Sequence, residues 1–350
     1  MFLHALSTTV PEKAFTQADC AEIVQRSHLR ERLDRRSLLT LMAILRGDSG
    51  VAKRHFAVED VERLFDLSAD ELNAAFRREA PRLATRAIED ALHQAGMRPA
   101  ELDALLVCTC TGYLCPGVTS YVAENLGLRD NAILQDLVGL GCGAAIPMLR
   151  SADALLARHP AITVATVAVE ICSAAFYVDA DPGVLISACL FGDGAAAAIW
   201  KATPPGDRAP LRCDGFNTLH RPIDRDRIRF EQRDGKLRNL LDRELPALAA
   251  DAVAHLWRQE FRDSAQVARV ISHGGGRDVL DALQTVFPNH PLDAARQTLR
   301  GYGNMSSPSV LFALEQSLRD RATTPDEHLW LVSFGAGFSV HSCRLHHVPA

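Results

Sequence analysis

A cysteine with glycine on both sides, Cys142, lies in the segment GLGCGAA. The residues after it have helical periodicity, so Cys142 is predicted at a helix N-terminus, where unpaired N–H groups and the helix dipole lower a thiol pKa. The flanking glycines allow a sharp turn and leave room for an acyl group. Such a thiolate is a nucleophile, although a small packing residue in a tight turn fits the segment equally well.

Two further polar residues lie in glycine-rich segments later in the chain. His273 follows an apolar run in SHGGG, and Asn304 lies with Ser306 in GYGNMSSPS. An imidazolium activates a neighbouring thiol, and the two side chains can donate to one developing oxyanion. Taken singly, His273 also fits a cap or surface histidine, and Asn304 a turn residue. Because no P-loop lysine follows the glycines and GxGxxG does not fit, no nucleotide-binding loop is predicted.

Taken together, these residues occur in an order and a setting that resemble the thiolase superfamily. More narrowly, the chain resembles the microbial branch of the type III polyketide synthases, the chalcone-synthase-like enzymes. The resemblance implies an α/β protein with a five-layered αβαβα fold built from two duplicated halves. The motifs that carry it, between about residues 80 and 345, are GLGCGAA, FGDGAAAAI, SHGGG, GNMSSPSVLFALEQSL and SFGAGFSV.

The resemblance also implies a role for each of the three residues. Cys142 would accept a starter acyl group from coenzyme A as a thioester. His273 and Asn304 would stabilise the thioester oxyanion and the enolate that malonyl-CoA forms on losing carbon dioxide. Because that loss generates the carbanion, no cofactor is expected, and coenzyme A thioesters enter only as substrates.

Other positions, Ser306 among them, match residues that bind substrate in the family. Phe191 matches the gatekeeping phenylalanine between the coenzyme A tunnel and the cavity. Cys115 matches a residue that reaches across a dimer interface into the partner's cavity, so a homodimer is implied. Lys53 and Arg54 lie where the family presents basic residues to the coenzyme A phosphates, although a solvated charge cluster fits them equally well.

The chain differs from the plant enzymes of the family at positions that shape the cavity for the starter. Small residues, Cys172 and Ala175, stand where plant enzymes have cavity-shaping threonines, and Arg238 stands near the position of a second gating phenylalanine. Small side chains at a cavity wall leave volume for a long tail, so a fatty acyl starter is expected. The corresponding products are alkylresorcinols, alkylresorcylic acids or alkylpyrones.

Two other enzyme classes share part of this pattern. A ketoacyl synthase III-like enzyme has the same nucleophile and His/Asn pair but performs one condensation, usually with an acyl carrier protein. A papain-type hydrolase has the same Cys, His, Asn order, but its tryptophan-flanked cysteine motif is missing here. Cys108, Cys110 and Cys115 include neither a CxxC pair nor a nearby histidine, so no metal site is predicted.

The elements that must position these residues alternate between helical and strand patterns in both halves of the chain. The proline-rich segment TPPGDRAP predicts a linker over 203–210 between halves 1–202, with the cysteine, and 211–350, with the histidine and asparagine. The run LISACLFGDGAAAAIWKA predicts strand, interrupted at GDG.

Composition excludes several classes of protein. The 350 residues are 47% hydrophobic, enough for a sizeable core in two units, and the net charge of −5 argues against nucleic acid as a partner. No apolar run has the roughly 18 residues of a membrane span, and the start of the chain does not resemble a signal peptide. Nine cysteines, an odd number without framework spacing, favour the cytoplasm.

Overall fold

A computed structural model gives the structure of the chain over residues 1–206, 210–261 and 267–348. The helices in these ranges are α1 Gln17–Arg26, α2 Leu29–Arg32, α3 Arg35–Arg46, α4 Ala69–Ala95, α5 Val118–Leu126, α6 Ala145–Arg158, α7 Pro182–Leu190, α8 Leu245–Glu260, α9 Arg277–Val286, α10 Asp293–Tyr302 and α11 Ser309–Asp320. The strands are β1 Phe2–Thr9, β2 Ala14–Thr16, β3 Lys53–His55, β4 Ala104–Cys108, β5 Ile133–Leu137, β6 Val164–Glu170, β7 Gly194–Lys201, β8 Leu211–His220, β9 Ile228–Arg233, β10 Lys236–Leu241, β11 Val267–Ser272, β12 His328–Gly335 and β13 Ser339–His347.

Nine of these strands form one sheet, in the order β11-β12-β13-β8-β1-β7-β6-β4-β5. The five strands from β1 to β5 in that order belong to the N-terminal half, and the other four belong to the C-terminal half. The halves join where β1 pairs with β8 through only two residue pairs, Phe2 with Arg212 and Leu3 with Leu211. Each half therefore contributes its own mostly buried sheet, as expected when helices cover both faces.

Two helices lie between these sheet portions. α6 contacts β4 and β6 on one side and β8, β12 and β13 on the other, while α11 contacts β1, β11 and β12. α4 and α5 cover the outer face of the N-terminal strands, and α8 and α9 cover the C-terminal side. The resulting order is helix, sheet, helix, sheet, helix, so the predicted five-layered αβαβα architecture is confirmed.

The strand predicted over LISACLF is wrong, because this segment forms helix α7. Asp181 caps the helix by accepting from the N–H groups of Gly183 and Val184, and Pro182 occupies its first position. The helix is buried, so it lacks the polar face that reveals most helices in a sequence. Of the predicted linker, residues 207–209 lie outside the described residues, and the others join β7 to β8. Within the described ranges, no helix has the length and apolar character to cross a membrane.

Candidate active site

Cys142 lies in a single 3-10 turn, Gly141–Gly143, just ahead of helix α6. Gly141 has φ +58, and a Cβ there would come within 2.9 Å of the Ala336 nitrogen. A Cβ on Gly335 would lie 2.4 Å from the Gly143 nitrogen and 3.0 Å from the Cys142 nitrogen. The end of β12 thus packs backbone to backbone against the cysteine turn, and glycine on both sides makes this approach possible.

The side chain of Cys142 is hydrogen-bonded to Ser306. The Ser306 hydroxyl lies 3.1 Å from the Cys142 Sγ and also 3.1 Å from the Cys110 Sγ. The Ser306 N–H donates to Asn304 Oδ1 at 2.8 Å, and Asn304 Nδ2 donates to the Gly275 carbonyl at 3.1 Å. A chain of hydrogen bonds therefore connects the predicted nucleophile to Asn304 and to the glycine run that follows His273.

His273 follows β11, and its ring is buried. The ring packs edge-on against Phe334, with the two centroids 5.1 Å apart, and Phe334 precedes the glycine that contacts the cysteine turn. The His273 Nδ1 is buried and has no hydrogen-bond partner within the part of the chain that the structure describes. Since buried polar groups are almost always paired, this unpaired nitrogen distinguishes His273 from an ordinary core histidine.

The protonation states differ from the sequence-based expectation. Burial raises the pKa of the Cys142 thiol to about 12, and the hydrogen bond from Ser306 opposes this only in part. Burial also lowers the pKa of His273 to about 4. The prediction that a helix N-terminus lowers the thiol pKa is therefore wrong, because loss of hydration outweighs the dipole. Both shifts favour a neutral thiol and a neutral imidazole at neutral pH.

Two buried carboxylates that sequence reasoning missed hold the surrounding loops. Glu170 Oε2 accepts from the backbone N–H groups of Cys110 and Thr111 and from the hydroxyls of Thr109 and Thr111, and its Oε1 accepts from the Ser307 hydroxyl at 2.5 Å. It therefore ties the cavity loop after β4 to the segment that carries Ser306. The sequence signal for such a role is an acidic residue at the end of an apolar strand, as Glu170 is in VATVAVE. An acidic residue in such a buried setting needs hydrogen-bond partners.

The second carboxylate, Asp193, lies in the GDG turn. It accepts from the Ala57 N–H at 2.6 Å and from the N–H and hydroxyl of Ser173 at 2.8 and 2.5 Å. Burial raises its pKa to about 6, against the effect of these hydrogen bonds. Asp193 fixes the loop that contains Cys172 to the segment after β3.

A cavity of about 750 Å³ lies beside the turn that contains Cys142, the predicted nucleophile. It reaches Gly141, which precedes Cys142, and Cys110, which shares the Ser306 hydroxyl with it. The N-terminal part of α4, the loop after β4 and the β9–β10 hairpin form its walls. Its polar and charged lining residues are Asp70, Asn73, Arg77, Thr109, Thr111, Tyr113, Arg229, Gln232 and Lys236.

The structure gives Arg54 a different position from the predicted one. Its guanidinium is buried and donates to the carbonyls of Ala188, at 2.7 Å, and Phe191, at 3.0 Å. A buried guanidinium bound to backbone carbonyls is not open to a phosphate, so the predicted coenzyme A contact of Arg54 is wrong. Lys53 on the same strand is exposed and remains available.

Arg54 instead supports the backbone of Phe191, the predicted gate. Phe191 is buried, and its backbone forms an isolated parallel bridge with Asn304. The Gly192 N–H donates to the Asn304 carbonyl, and the Asn304 N–H donates to the Leu190 carbonyl. The structure thus brings Phe191 and Asn304 together, and the gating role of Phe191 stays a prediction.

The remaining predicted substrate residues fall in different places. Cys172 and Ala175 are buried in a short 3-10 turn, and Ala174 between them lines the cavity. Arg238 lies on β10, beside cavity-lining Leu237, but its guanidinium is bound by the carboxylates of three acidic residues. These are Asp179 at 2.7 Å, Glu231 at 2.9 Å and Asp181 at 3.6 Å. Arg238 therefore fixes the hairpin rather than facing a substrate, so its predicted substrate-binding role is wrong.

Comparisons with known proteins agree on one family. The family described as FAE1/type III polyketide synthase-like protein matches residues 8–212, and the C-terminal part of 3-oxoacyl-[acyl-carrier-protein] synthase III matches residues 259–347. A 1,3,6,8-tetrahydroxynaphthalene synthase of Streptomyces peucetius subsp. caesius is 31% identical, over 95% of this chain and 90% of that protein. A 3,5-dihydroxyphenylacetyl-CoA synthase of Streptomyces toyocaensis is 28% identical, over 74% and 70%.

A solved structure is similar to this chain over its whole length. The crystal structure of the 1,3,6,8-tetrahydroxynaphthalene synthase of Streptomyces coelicolor, described as a bacterial type III polyketide synthase, has a TM-score of 0.89 to this chain. The two are 26% identical, and all of each chain is covered.

Proposed function

The chain belongs to the type III polyketide synthase family, and from this premise we propose that Cys142, His273 and Asn304 are its catalytic residues. The enzyme is an acyltransferase that joins acyl units by decarboxylative condensation. The observation that carries the proposed assignment is the chain of hydrogen bonds from Cys142 through Ser306 to Asn304, which continues to the Gly275 carbonyl in the loop that follows His273.

Loading begins with a neutral thiol and a neutral imidazole. As Cys142 Sγ attacks the thioester carbonyl of an acyl-CoA starter, His273 accepts the thiol proton, and the ion pair forms only during the reaction. Expulsion of coenzyme A leaves the acyl group on Cys142, and the proton returns to the departing thiolate. The Ser306 hydroxyl, 3.1 Å from Sγ, stabilises the thiolate as it develops.

Extension uses malonyl-CoA. Its carboxylate leaves as carbon dioxide, and the two electrons of the broken bond form an enolate that attacks the acyl group on Cys142. The Asn304 amide and the His273 ring donate to the enolate oxygen. The bond between the acyl carbon and Cys142 Sγ breaks in this step, so the lengthened chain is carried on coenzyme A. Its transfer back to Cys142, with release of coenzyme A, allows the next round, and repetition builds a poly-β-keto chain that closes to a ring. Because decarboxylation supplies the carbanion, the proposed route needs no metal or organic cofactor.

The relatives favour this route over the ketoacyl synthase III alternative. The C-terminal match to that synthase covers residues 259–347, whereas the full-length relatives are polyketide synthases. Delivery of the starter by an acyl carrier protein stays a prediction. A fatty acyl starter also stays a prediction, supported by the small side chain of Ala174 in the cavity lining.

We further propose a homodimer, located in the cytoplasm. The edge strand β5 is exposed, and apolar Leu134 and Val138 are 41% and 48% exposed. Val138 and Tyr113 also line the cavity, so the cavity opens at this surface, next to exposed Cys115. A second copy would cover the strand edge and close the cavity. All nine cysteines are free, in keeping with a reducing compartment.

The test is mass spectrometry of the purified protein with malonyl-CoA and a panel of acyl-CoA and acyl-carrier-protein starters. We expect a starter-sized mass on the Cys142 peptide, products with two or more added ketide units, and neither of these in Cys142→Ala. Asn304→Ala should load the starter and fail to decarboxylate malonyl-CoA. Retained product formation in Cys142→Ala would refute the nucleophile, and a single condensation in the parent protein would favour the ketoacyl synthase.

A further inference from the structure

Two cations on the cavity wall have no acidic partner. Arg77 on α4 makes no hydrogen bond or ion pair with any described residue. Lys236, on β10, donates to the Leu67 carbonyl and has no carboxylate partner in the described part of the chain. Both line the cavity that reaches Gly141 and Cys110 beside the nucleophile.

Other charges in the lining do not neutralise these two. Arg229 is already bound, to the Asp226 carbonyl at 2.7 Å and to the Glu231 carboxylate at 3.4 Å. Asp70 lies two helical turns from Arg77 on α4, a separation of about 10 Å along the axis. The lining therefore presents an excess of positive charge, in a protein whose net charge is −5.

An apolar tail in this cavity would remove part of the water around the exposed Arg77 guanidinium and the half-buried Lys236 ammonium without giving either an anionic partner, which is unfavourable. A group with a negatively charged oxygen would replace that water with charge-assisted hydrogen bonds. We propose that Arg77 and Lys236 bind an anionic oxygen of the chain attached to Cys142, and so select substrates that carry one. This inference rests on the proposed function, because it concerns the occupant of the same cavity.

The anion can come from two sources. A starter with a distal carboxylate brings it into the cavity at loading. A poly-β-keto chain acquires it later, because a CH₂ between two carbonyls loses a proton readily and the resulting enolate carries its charge on oxygen. Both sources present the same chemistry to the guanidinium and the ammonium.

The first experiment compares succinyl-CoA with 4-methylpentanoyl-CoA, in which an isopropyl group replaces the carboxylate. If the starter supplies the anion, Arg77→Gln and Lys236→Gln should each lower kcat/KM for succinyl-CoA about tenfold, and change it less than about twofold for the neutral starter. Arg77→Lys should restore much of the loss. Glutamine at 236 keeps a donor for the Leu67 carbonyl, so the loop stays supported.

The second experiment follows chain growth from the neutral starter with malonyl-CoA. If the enolate is the anion, both glutamine variants should release shorter products while loading the starter at the parent rate. The matched control is Arg86→Gln, an exposed arginine of α4 that lies outside the cavity lining.

Unchanged starter preference together with unchanged product length in both glutamine variants would overturn the inference, as would equal effects of Arg86→Gln. If the parent protein refuses succinyl-CoA, the carboxylate source is excluded and product length decides. Failure of every thioester to acylate Cys142 in the parent protein would instead overturn the proposed function itself.

Discussion

At the residue scale, Ser306 is the side chain whose contact with the nucleophile is most direct. Its φ of 59° places it in the left-handed region, and its hydroxyl lies between two thiols, those of Cys142 and Cys110. A non-glycine residue held in this conformation is found mostly where the surrounding structure requires its side chain. The hydrogen bond from Ser306 also lowers the Cys142 pKa, against the larger effect of burial.

Ser306→Gly should therefore slow the reaction of Cys142 with iodoacetamide at pH 8 about fivefold to tenfold, since a lost hydrogen bond of about 1 kcal/mol raises the thiol pKa further. Glycine accepts the positive φ, so the backbone needs no rearrangement. The rate is measured on the Cys142 peptide by mass spectrometry. Ser151→Ala on α6 is the control, because its hydroxyl contacts only the Pro147 carbonyl. Equal rates in the parent and Ser306→Gly would contradict the role of the hydroxyl.

His341 gives the protein a pH dependence. Its ring packs against Gly143, next to the nucleophile, and burial lowers its pKa to about 4. The unfolded chain binds this proton near pH 6.5 and the folded protein only near pH 4, so stability is complete above pH 6.5 and falls with pH below it.

We expect this one group to make the free energy of unfolding about 2 kcal/mol lower at pH 5 than at pH 7.5. His341→Gln should lose that part of the pH dependence, measured by urea unfolding at both pH values. His159→Gln, which changes an exposed histidine, should keep it. A parallel pH dependence in His341→Gln and the parent protein would show that His341 does not carry it.

At the element scale, the ends of β4 and β6 and the segment before α11 converge on Glu170. This carboxylate accepts five hydrogen bonds and is fully buried. A glutamine amide would turn an NH₂ group towards some of these donors and leave them unpaired. The loop that lines the cavity and the segment with Ser306 would then lose their common support.

Glu170→Gln should lower the free energy of unfolding by about 2–4 kcal/mol and should alter product length at temperatures where the variant is folded. Urea unfolding and product mass spectrometry provide the two readouts, with Glu124→Gln on the exposed face of α5 as control. If unfolding and products both match those of the parent, Glu170 does not position the loops.

The sequence predicted elements best where pattern and local signals agree. The predicted alternation of helices and strands is present around both glycine-rich loops. α7 was missed because a helix buried on all sides has no polar face, and its proline and aspartate start signals lay outside the apolar run. Secondary-structure propensity also could not reveal the contacts of Glu170. They join it to Thr109, 61 positions away, and to Ser307, 137 positions away.

The site itself was predicted by residue type but not by protonation state. Cys142 and Asn304 were selected because their motifs resemble a known family. The spacing of these residues along the chain would not by itself have shown that Ser306 links them. Burial is a property of the whole fold, so the direction of the Cys142 pKa shift could not be read from the helix start. Burial also changed the interpretation of Arg54, whose partners are backbone carbonyls that a sequence does not display.

At the scale of the whole molecule, the proposed dimer would form through the exposed edge of the nine-stranded sheet, strand β5. Leu134→Lys places a charge on β5, and we expect it to convert a dimer into a species of 38.2 kDa in light scattering after gel filtration. Leu39→Lys on α3, which also replaces an exposed leucine, should leave the dimer intact. A monomeric parent protein, or a dimer that persists in Leu134→Lys, would contradict pairing through this edge.

The pairing of β1 has a consequence for how the chain is made. Phe2 pairs with Lys201 and also with Arg212, so during synthesis β1 leaves the ribosome well before its partners, which lie about two hundred residues later in the chain. Contacts of such long sequence separation form slowly, and an unpaired apolar strand is prone to wrong association in the meantime. During synthesis, β1 is therefore exposed to aggregation until β7 and β8 have been made. The strand that joins the two halves has to wait for both of them before it is fully paired.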